Sequence, residues 1–469
     1  MIDYSSSFSP AAESIASLLP QLRDALKGQV ITPDHPGYEE ARTIFYGGFD
    51  RRPAAIVRVT DVGDVVHVIN FARETGAELA VRGGGHSIAG YSTTEGGIVL
   101  DLSGMKGLTI DVEGRTAWAE AGLTAGEYTT AAAAHGLATG FGDTGSVGIG
   151  GITLGGGIGY LVRKNGLTID DLLAAEMVTA DGRLLYLDNE SHPDLFWAIR
   201  GGGGNFGVVT RFKYRLHEQS SVYGGMLVLP ATPEVIAGFV AAAEAAPEEL
   251  STIANVMKAP PFPFLPAEVH GQFVVLGMLV YSGPVEAGEQ VIAPFRALAT
   301  PLVDMVRPMA YQEIYPPEEG GFHPVAAGRT LFVDSIDLAA AQTIVEALKA
   351  STAVMSATQL RVLGGAMARV PADATAFAHR SARIMVNVAA MYMRPEEAEQ
   401  HEAWVTRLAD ALRQSYEGAY VNFIGDEGEA RVRAAYPGAT WERLAAIKRR
   451  YDPGNLFRRN HNIPPATAG

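Results

Sequence analysis

The chain of 469 residues has no cysteine. That absence excludes disulfides, thiolate metal centres and cysteine nucleophiles. Positive charge is also scarce: 37 Lys and Arg against 52 Asp and Glu leave a net charge of −15. Such a chain repels phosphate backbones, so nucleic acid is not an expected partner. Any phosphate it binds must be held locally, by backbone N–H groups or a few placed cations. Long apolar runs are missing too. None approaches the roughly 20 residues of a membrane span. The opening "MIDYSSSFSPAAESIASLLPQL" has neither the basic n-region nor the apolar core of a secretory signal. The expectation is a soluble, cytoplasmic protein with no membrane partner, and no segment specifies an oligomeric state.

What is plentiful is glycine, 53 residues of it, clustered in the first half of the chain. With 47% hydrophobic and 19% charged residues the composition is globular. A chain past about 250–300 residues is expected to divide into domains. From Asp61 an apolar spacing at Val62, Val65, Val66, Ile69 and Ala72 predicts a helix, with Asp61 as N-cap and Gly76 as its stop. The strand "ELAVRG", a glycine loop and a second strand "GGIVLDLSGM" follow. "AGEYTTAAAAHG" reads as a helix ended by Gly136, before the densest glycine region. "LLAAEMVTADGRLLYL" reads as a hairpin turning at Asp181-Gly182, and "HPDLFWAIRGGGGNFGVVTRFKYRL" as a short helix, a glycine loop and a strand.

Beyond about Val222 the glycine clusters fade. Alternating strands such as "QFVVLGMLVY" and "RIMVNVAAMY" are separated by Ala-rich helices, and "APPFPFLPAE" reads as a loop. This predicts a second domain of antiparallel sheet with helices on one face. The tail is a helix stopped by Asp452-Pro453-Gly454, followed by an extended arm.

Several short motifs fail on context. "GGGNFG", residues 202–207, fits G-x-G-x-x-G, but it follows a helix and leads into a strand, the reverse of a dinucleotide fold. No P-loop motif occurs. "GHSIAG" around Ser87 has Ala89 where a nucleophile elbow needs glycine, and no helix follows. A lone histidine in a loop often does no more than hydrogen-bond it, and His86 has no second ligand at metal spacing nearby. The remaining reading is a large phosphate-bearing cofactor laid across several glycine loops, with His86 meeting its reactive part.

The stretches "VRGGGHSIAGYST", "GGIVLDLSGM", "GSVGIGGITLGGGIGYLVRKNGLTIDDL", "VTADG", "HPDLFWAIRGGGGNFGVVT" and "YDPGNLFRRNHNIPP" occur in this order over nearly the whole chain. In this combination the sequence resembles the vanillyl-alcohol-oxidase superfamily, specifically its bacterial berberine-bridge-enzyme-like branch. The resemblance implies an α+β fold: a PCMH-type FAD-binding domain of two α+β subdomains, with an inserted substrate domain of antiparallel sheet plus helices. The implied boundaries are 1–218 for the N-terminal part of the FAD domain, 219–414 for the substrate domain, and 415–469 for a segment returning to the FAD domain.

The resemblance also implies residue roles. His86 would carry FAD covalently through the flavin 8α-methyl group, with Arg82, Gly83, Gly84, Gly85 and Ser87 around the diphosphate, where glycine N–H groups suit an anion. Many relatives add a second link through a cysteine, whose place here falls on Thr144, so the linkage can only be single. Gly145, Gly148, Gly150, Gly151, Leu154, Gly155, Gly156, Gly157 and Tyr160 would pack along the cofactor. Val178, Gly207, Val208 and Val209 would lie by the adenine and ribityl side, and Asn460 and Asn462 would return to the isoalloxazine.

The implied chemistry is hydride removal from a C–H bond next to O or N of a small organic or natural-product substrate, with O₂ as reoxidant. The acid–base positions depart from the family pattern: Asn387 and Phe423 stand where relatives place a base, and neither accepts a proton at neutral pH. Tyr420, Tyr91, Tyr392 and His323 are the remaining catalytic candidates, each equally readable as packing. Three activities follow: an oxidase, a dehydrogenase with another acceptor, and a flavin-binding protein without turnover.

Overall fold

The computed structural model describes residues 10–315, 321 and 323–467. The first nine residues of the stretch read for a secretory signal lie outside them. The fold is α+β, as expected. Its first sheet has four strands in the order Gln29–Ile31, Ala55–Arg58, Ile98–Asp101, Leu79–Arg82; the last three run parallel and the first is antiparallel to its neighbour. The helix Val62–Thr75 connects two of them. Asp61 caps it, its carboxylate accepting the Asp64 N–H at 3.0 Å, and Gly76 ends it at φ +70°.

A second sheet is wholly antiparallel, in the order Leu108–Asp111, Thr116–Glu120, Val208–Arg215, Leu172–Val178, Leu184–Leu187. The hairpin turns at Gly182, which takes φ +81°. One continuous core joins these sheets to the other end of the chain. It runs from Ile15 through Val57, Ile98 and Phe212 to Val421, Leu444 and Ile463. Lys448, on the helix Ala439–Tyr451, fastens that end. Its ammonium is fully buried and donates to Asp452 Oδ2 at 2.6 Å, Asn205 O at 2.7 Å and Phe457 O at 2.9 Å.

Residues 221–392 build an eight-stranded antiparallel sheet, centred on Ser221–Pro230, Phe273–Tyr281, Leu250–Lys258, Met355–Val362, Ile384–Tyr392 and Val325–Val333. Its two faces differ. On Ile384–Tyr392 the residues Ile384, Val386, Val388, Ala390 and Tyr392 enter a core shared with the helices Pro233–Ala245, Leu338–Ala350 and Ala398–Leu412. The alternate residues Asn387, Ala389 and Met391 face the other way, toward a cavity. One segment read only as a glycine run holds a short helix, Ile149–Leu154.

Candidate active site

A cavity of about 510 Å³ opens where the glycine loops of the first half meet the helix-free face of the large sheet. That volume lies in the range of pockets that bury most of a bound organic ligand. One wall is main chain. Residues 83–87 leave the strand Leu79–Arg82 and cross residues 144–151 at glycine against glycine. A Cβ on Gly84 would lie 2.3 Å from Gly148 N, and one on Gly148 would lie 2.3 Å from Gly84 N, so neither loop tolerates a side chain there. Gly85 takes φ +74° to bring the chain round to His86. The His86 ring lies stacked on Phe45, 4.2 Å between centroids and 22° apart, and its Nε2 is 3.0 Å from Ser146 Oγ. Residues 203–205 and 457–461 close this side.

The opposite wall is largely side chains: Ala326, Gln359, Arg361, Asn387, Ala389 and Met391, with Gly328, from three adjacent strands. Asn387 stands in register between Thr330 and Gln359, and Gln359 between Asn387 and Asn255. Gln359 donates to Asn255 Oδ1 at 3.0 Å and accepts from Arg361 Nε at 2.8 Å. Arg361 also donates to Ile158 O at 2.9 Å and pairs with Asp143 Oδ2. The side chain of Asn387 has no hydrogen-bond partner among the described residues.

Tyr420 sits at the junction of the walls. Its hydroxyl oxygen accepts from Gly157 N at 3.0 Å, Ile158 N at 3.3 Å and Asn422 Nδ2 at 2.9 Å. Burial pushes its pKa up, while those donors pull against the shift. Burial likewise raises Tyr46 to about 12, with help from Asp143, and raises Tyr91 to about 12. His461, buried in the C-terminal arm, is held down at about 4.

The family model for the FAD binding domain matches residues 53–188, and that for berberine and berberine-like proteins matches residues 419–464. The chain is 33% identical over 451 residues to the FAD-linked oxidoreductase YgaK of Bacillus subtilis (strain 168), covering 94% of this chain and 97% of the relative. The chain belongs to the berberine-bridge-like FAD-linked oxidoreductases. It is also 31% identical to (R)-6-hydroxynicotine oxidase of Paenarthrobacter nicotinovorans, over 94% of this chain and 97% of that one. The solved structure of 6-hydroxy-D-nicotine oxidase from Arthrobacter nicotinovorans superposes with a TM-score of 0.82 at 28% identity, covering 94% and 98%. These family members are similar to this chain in the vanillyl-alcohol-oxidase type of FAD domain.

The cavity suits such a cofactor on its own evidence. Cβ atoms added at Gly151 and Gly204 would meet nothing within 4 Å. Three buried polar atoms on residues of its wall, Ser92 Oγ, Asn460 Oδ1 and His461 Nδ1, lack partners among the described residues. A ligand rich in donors and acceptors would satisfy such atoms.

The wall gathers His86, Gly83, Gly84, Gly85, Ser87, Thr144, Gly148, Gly150, Gly151, Leu154, Gly207, Val208, Val209 and Asn460, together with Tyr91, Tyr420, Asn387 and Phe423. Other expected residues lie elsewhere. Arg82 does not reach the cavity: its buried guanidinium pairs with Asp101, its register partner on the parallel strand, at 3.0 Å. Gly155 and Gly157 are small because Asn422 and Thr168 occupy the space a Cβ would take, and Gly156 lies against Phe377. Gly145 lies against Tyr315, Tyr160 packs in a separate core with Ile253 and Tyr311, and Val178 is buried in the first core. Asn462 is absent from the wall.

Two catalytic candidates also lie off the cavity wall. Tyr392 faces the helices, its ring 4.6 Å from His401, and His323 is exposed, its Nδ1 3.1 Å from Phe45 O. The sequence reading missed Phe45, Tyr46, Asp143, Gln359, Arg361 and Arg459 on the wall. A signal for two of them existed: Gln359 and Arg361 are the large polar residues at alternate positions of the strand "MSATQLRV", on one face of it.

Proposed function

We propose that this chain is an FAD-dependent oxidase that removes hydride from a C–H bond beside nitrogen or oxygen of a small organic or natural-product substrate, with O₂ as acceptor. The observation that carries this reading is the single cavity wall shared by the glycine crossing at Gly84 and Gly148, His86, and the side chains of the antiparallel sheet. In this reading residues 1–218 and 415–469 hold the cofactor and residues 219–414 supply the substrate wall. His86 is the single point of covalent attachment, because the chain has no cysteine and Thr144 occupies the place of the second link. FAD supplies the hydride acceptor.

The protein's own residues orient and exclude. Ile88, Ala389, Met391 and Phe423 shed water from the substrate, and Asn387 offers one neutral hydrogen bond. Neither Asn387 nor Phe423 takes a proton. That favours donors such as amines, whose nitrogen lone pair assists hydride loss without prior O–H deprotonation.

The test is direct. Acid precipitation of purified protein should give a yellow pellet, colourless after His86→Ala. Amines and alcohols should then be screened for anaerobic bleaching of the flavin and for hydrogen peroxide release in air. Bleaching without peroxide makes the protein a dehydrogenase. No bleaching by any amine, alcohol or sugar makes it a flavin-binding protein without turnover.

A further inference from the structure

We infer that Asp143 is the substrate-recognising carboxylate of this cavity, and that the substrate presents an N–H or O–H donor to it and no carboxylate of its own. The inference rests on the oxidase reading above and narrows it to a substrate class. Asp143 is the only acidic side chain on the cavity wall among the described residues. It lies at the seam, on the glycine-loop side but tied to the sheet through Arg361.

The two oxygens of Asp143 are used differently. Oδ2 is held by Arg361 Nη2, whereas Oδ1 meets only the Thr144 hydroxyl, at the long distance of 3.4 Å. A carboxylate has about four lone-pair sites, so acceptor capacity remains toward the cavity. Arg361 is not available to a substrate in the same way. It is only 3% exposed, and its guanidinium is engaged by Gln359, Ile158 O and Asp143, with its flat face 5.2 Å from the Phe423 ring. The seam therefore displays an acceptor, while its cation is already spent on the protein.

An anionic ligand end placed there would meet the Asp143 carboxylate beside a guanidinium already engaged by the protein, and desolvating it there is costly. A donor would complete the carboxylate. Phe45, Tyr46, Ile88, Phe423 and Met391 give the same cavity apolar surface. The matching ligand is a ring or chain of carbon carrying one hydrogen-bond donor.

Three probes on one scaffold test this: benzylamine, benzyl alcohol and benzoate. Binding is read in the holoenzyme by perturbation of the flavin visible band, and independently by the shift in melting temperature. The expected order is benzylamine and benzyl alcohol tighter than benzoate by about tenfold or more, the size of one desolvated charge contact. Asp143→Asn, which keeps an acceptor for Arg361, should shrink that preference to below about threefold. Asp143→Glu, which keeps the charge, should retain it. Benzoate binding as tightly as benzylamine in the unaltered protein overturns the inference. So does a preference that survives Asp143→Asn, or failure of all three probes to bind. Protein that purifies colourless and takes up no FAD defeats the oxidase reading instead, and the melting shifts still decide Asp143.

Discussion

Where Gly84 crosses Gly148 the cavity wall is backbone, held at a spacing that admits no Cβ, whereas across from it the wall is largely a row of side chains on a rigid sheet. The two surfaces suit different ligands. Main-chain N–H groups in glycine loops recognise what every FAD has in common, its diphosphate and polyol, and recognise it identically whatever side chains lie around. Side chains on alternate positions of antiparallel strands can be exchanged one at a time without moving the sheet. A cofactor site of the first kind resists change, and a substrate site of the second kind invites it. Substitutions should therefore separate into those that cost the fold and the flavin, and those that cost only ligand preference.

The largest effect belongs to the fastening of the C-terminal arm to the glycine side. Lys448→Met leaves the buried Asp452 carboxylate without its counter-ion, held only by Leu456 N and Phe457 N, and takes away the donor to Asn205 O; Phe457 O keeps Asn460 Nδ2. The expected loss is about 3–5 kcal/mol in denaturant unfolding. Lys448→Met with Asp452→Asn should recover part of it. Next comes the crossing itself. Gly84→Ala brings a methyl to 2.3 Å from Gly148 N, where the obstacle is backbone and cannot swing away. A loss of about 3 kcal/mol is expected, together with loss of flavin absorption. If Gly84→Ala keeps both stability and colour, the backbone wall is not what holds the cofactor.

Acid should weaken both sides of the molecule. His379 is buried, with its Nε2 3.0 Å from Ala435 O, and burial depresses its pKa from 6.5 to about 4; His461 on the C-terminal arm is depressed likewise to about 4. The unfolded chain binds protons at these positions between about pH 6.5 and pH 4 while the folded chain does not. Stability therefore holds above pH 6.5 and falls as the pH drops through that window, by about 1.4 kcal/mol per pH unit per histidine. Unfolding free energies measured from pH 7 to pH 4 check the slope. His379→Gln and His461→Gln should each remove about half of it.

The backbone wall was legible from composition because glycine is the only residue that fits its crossings, so the constraint appears in the sequence as identity. Arg82 shows the complementary case: from sequence a cation beside a glycine loop reads as a phosphate ligand, while its pairing with Asp101, in register on the parallel neighbour, cannot be seen there. The sheet wall was hidden differently. Asn387 and Tyr392 lie five positions apart, an odd step that puts them on opposite faces of one strand. That parity could have been read from "NVAAMY", but which face meets the cavity depends on where helices pack. Asp143 is separated by more than two hundred residues from its partner Arg361, and no local pattern announces such a pair.

The smallest expected effect on stability is at Asn387, and it sharpens the contrast most. Its carboxamide faces the cavity beside Gln359, yet nothing in the described protein answers it. Removing a group with no protein partner orphans no donor or acceptor, so Asn387→Ala should shift unfolding by no more than about 0.5 kcal/mol. Flavin content and its visible spectrum should also be unchanged, because the cofactor wall is on the other side. What should change is ligand binding: once a bleaching substrate is in hand, its apparent affinity should fall by about tenfold, one lost hydrogen bond. Asn387→Asp is the complementary variant. It adds a second carboxylate to a cavity that already holds Asp143, so anionic ligands should weaken further while aminated ones hold or tighten. An Asn387→Ala protein that loses stability or flavin would mean that the sheet wall carries structure as the glycine crossing does, and the division between the two surfaces would fail.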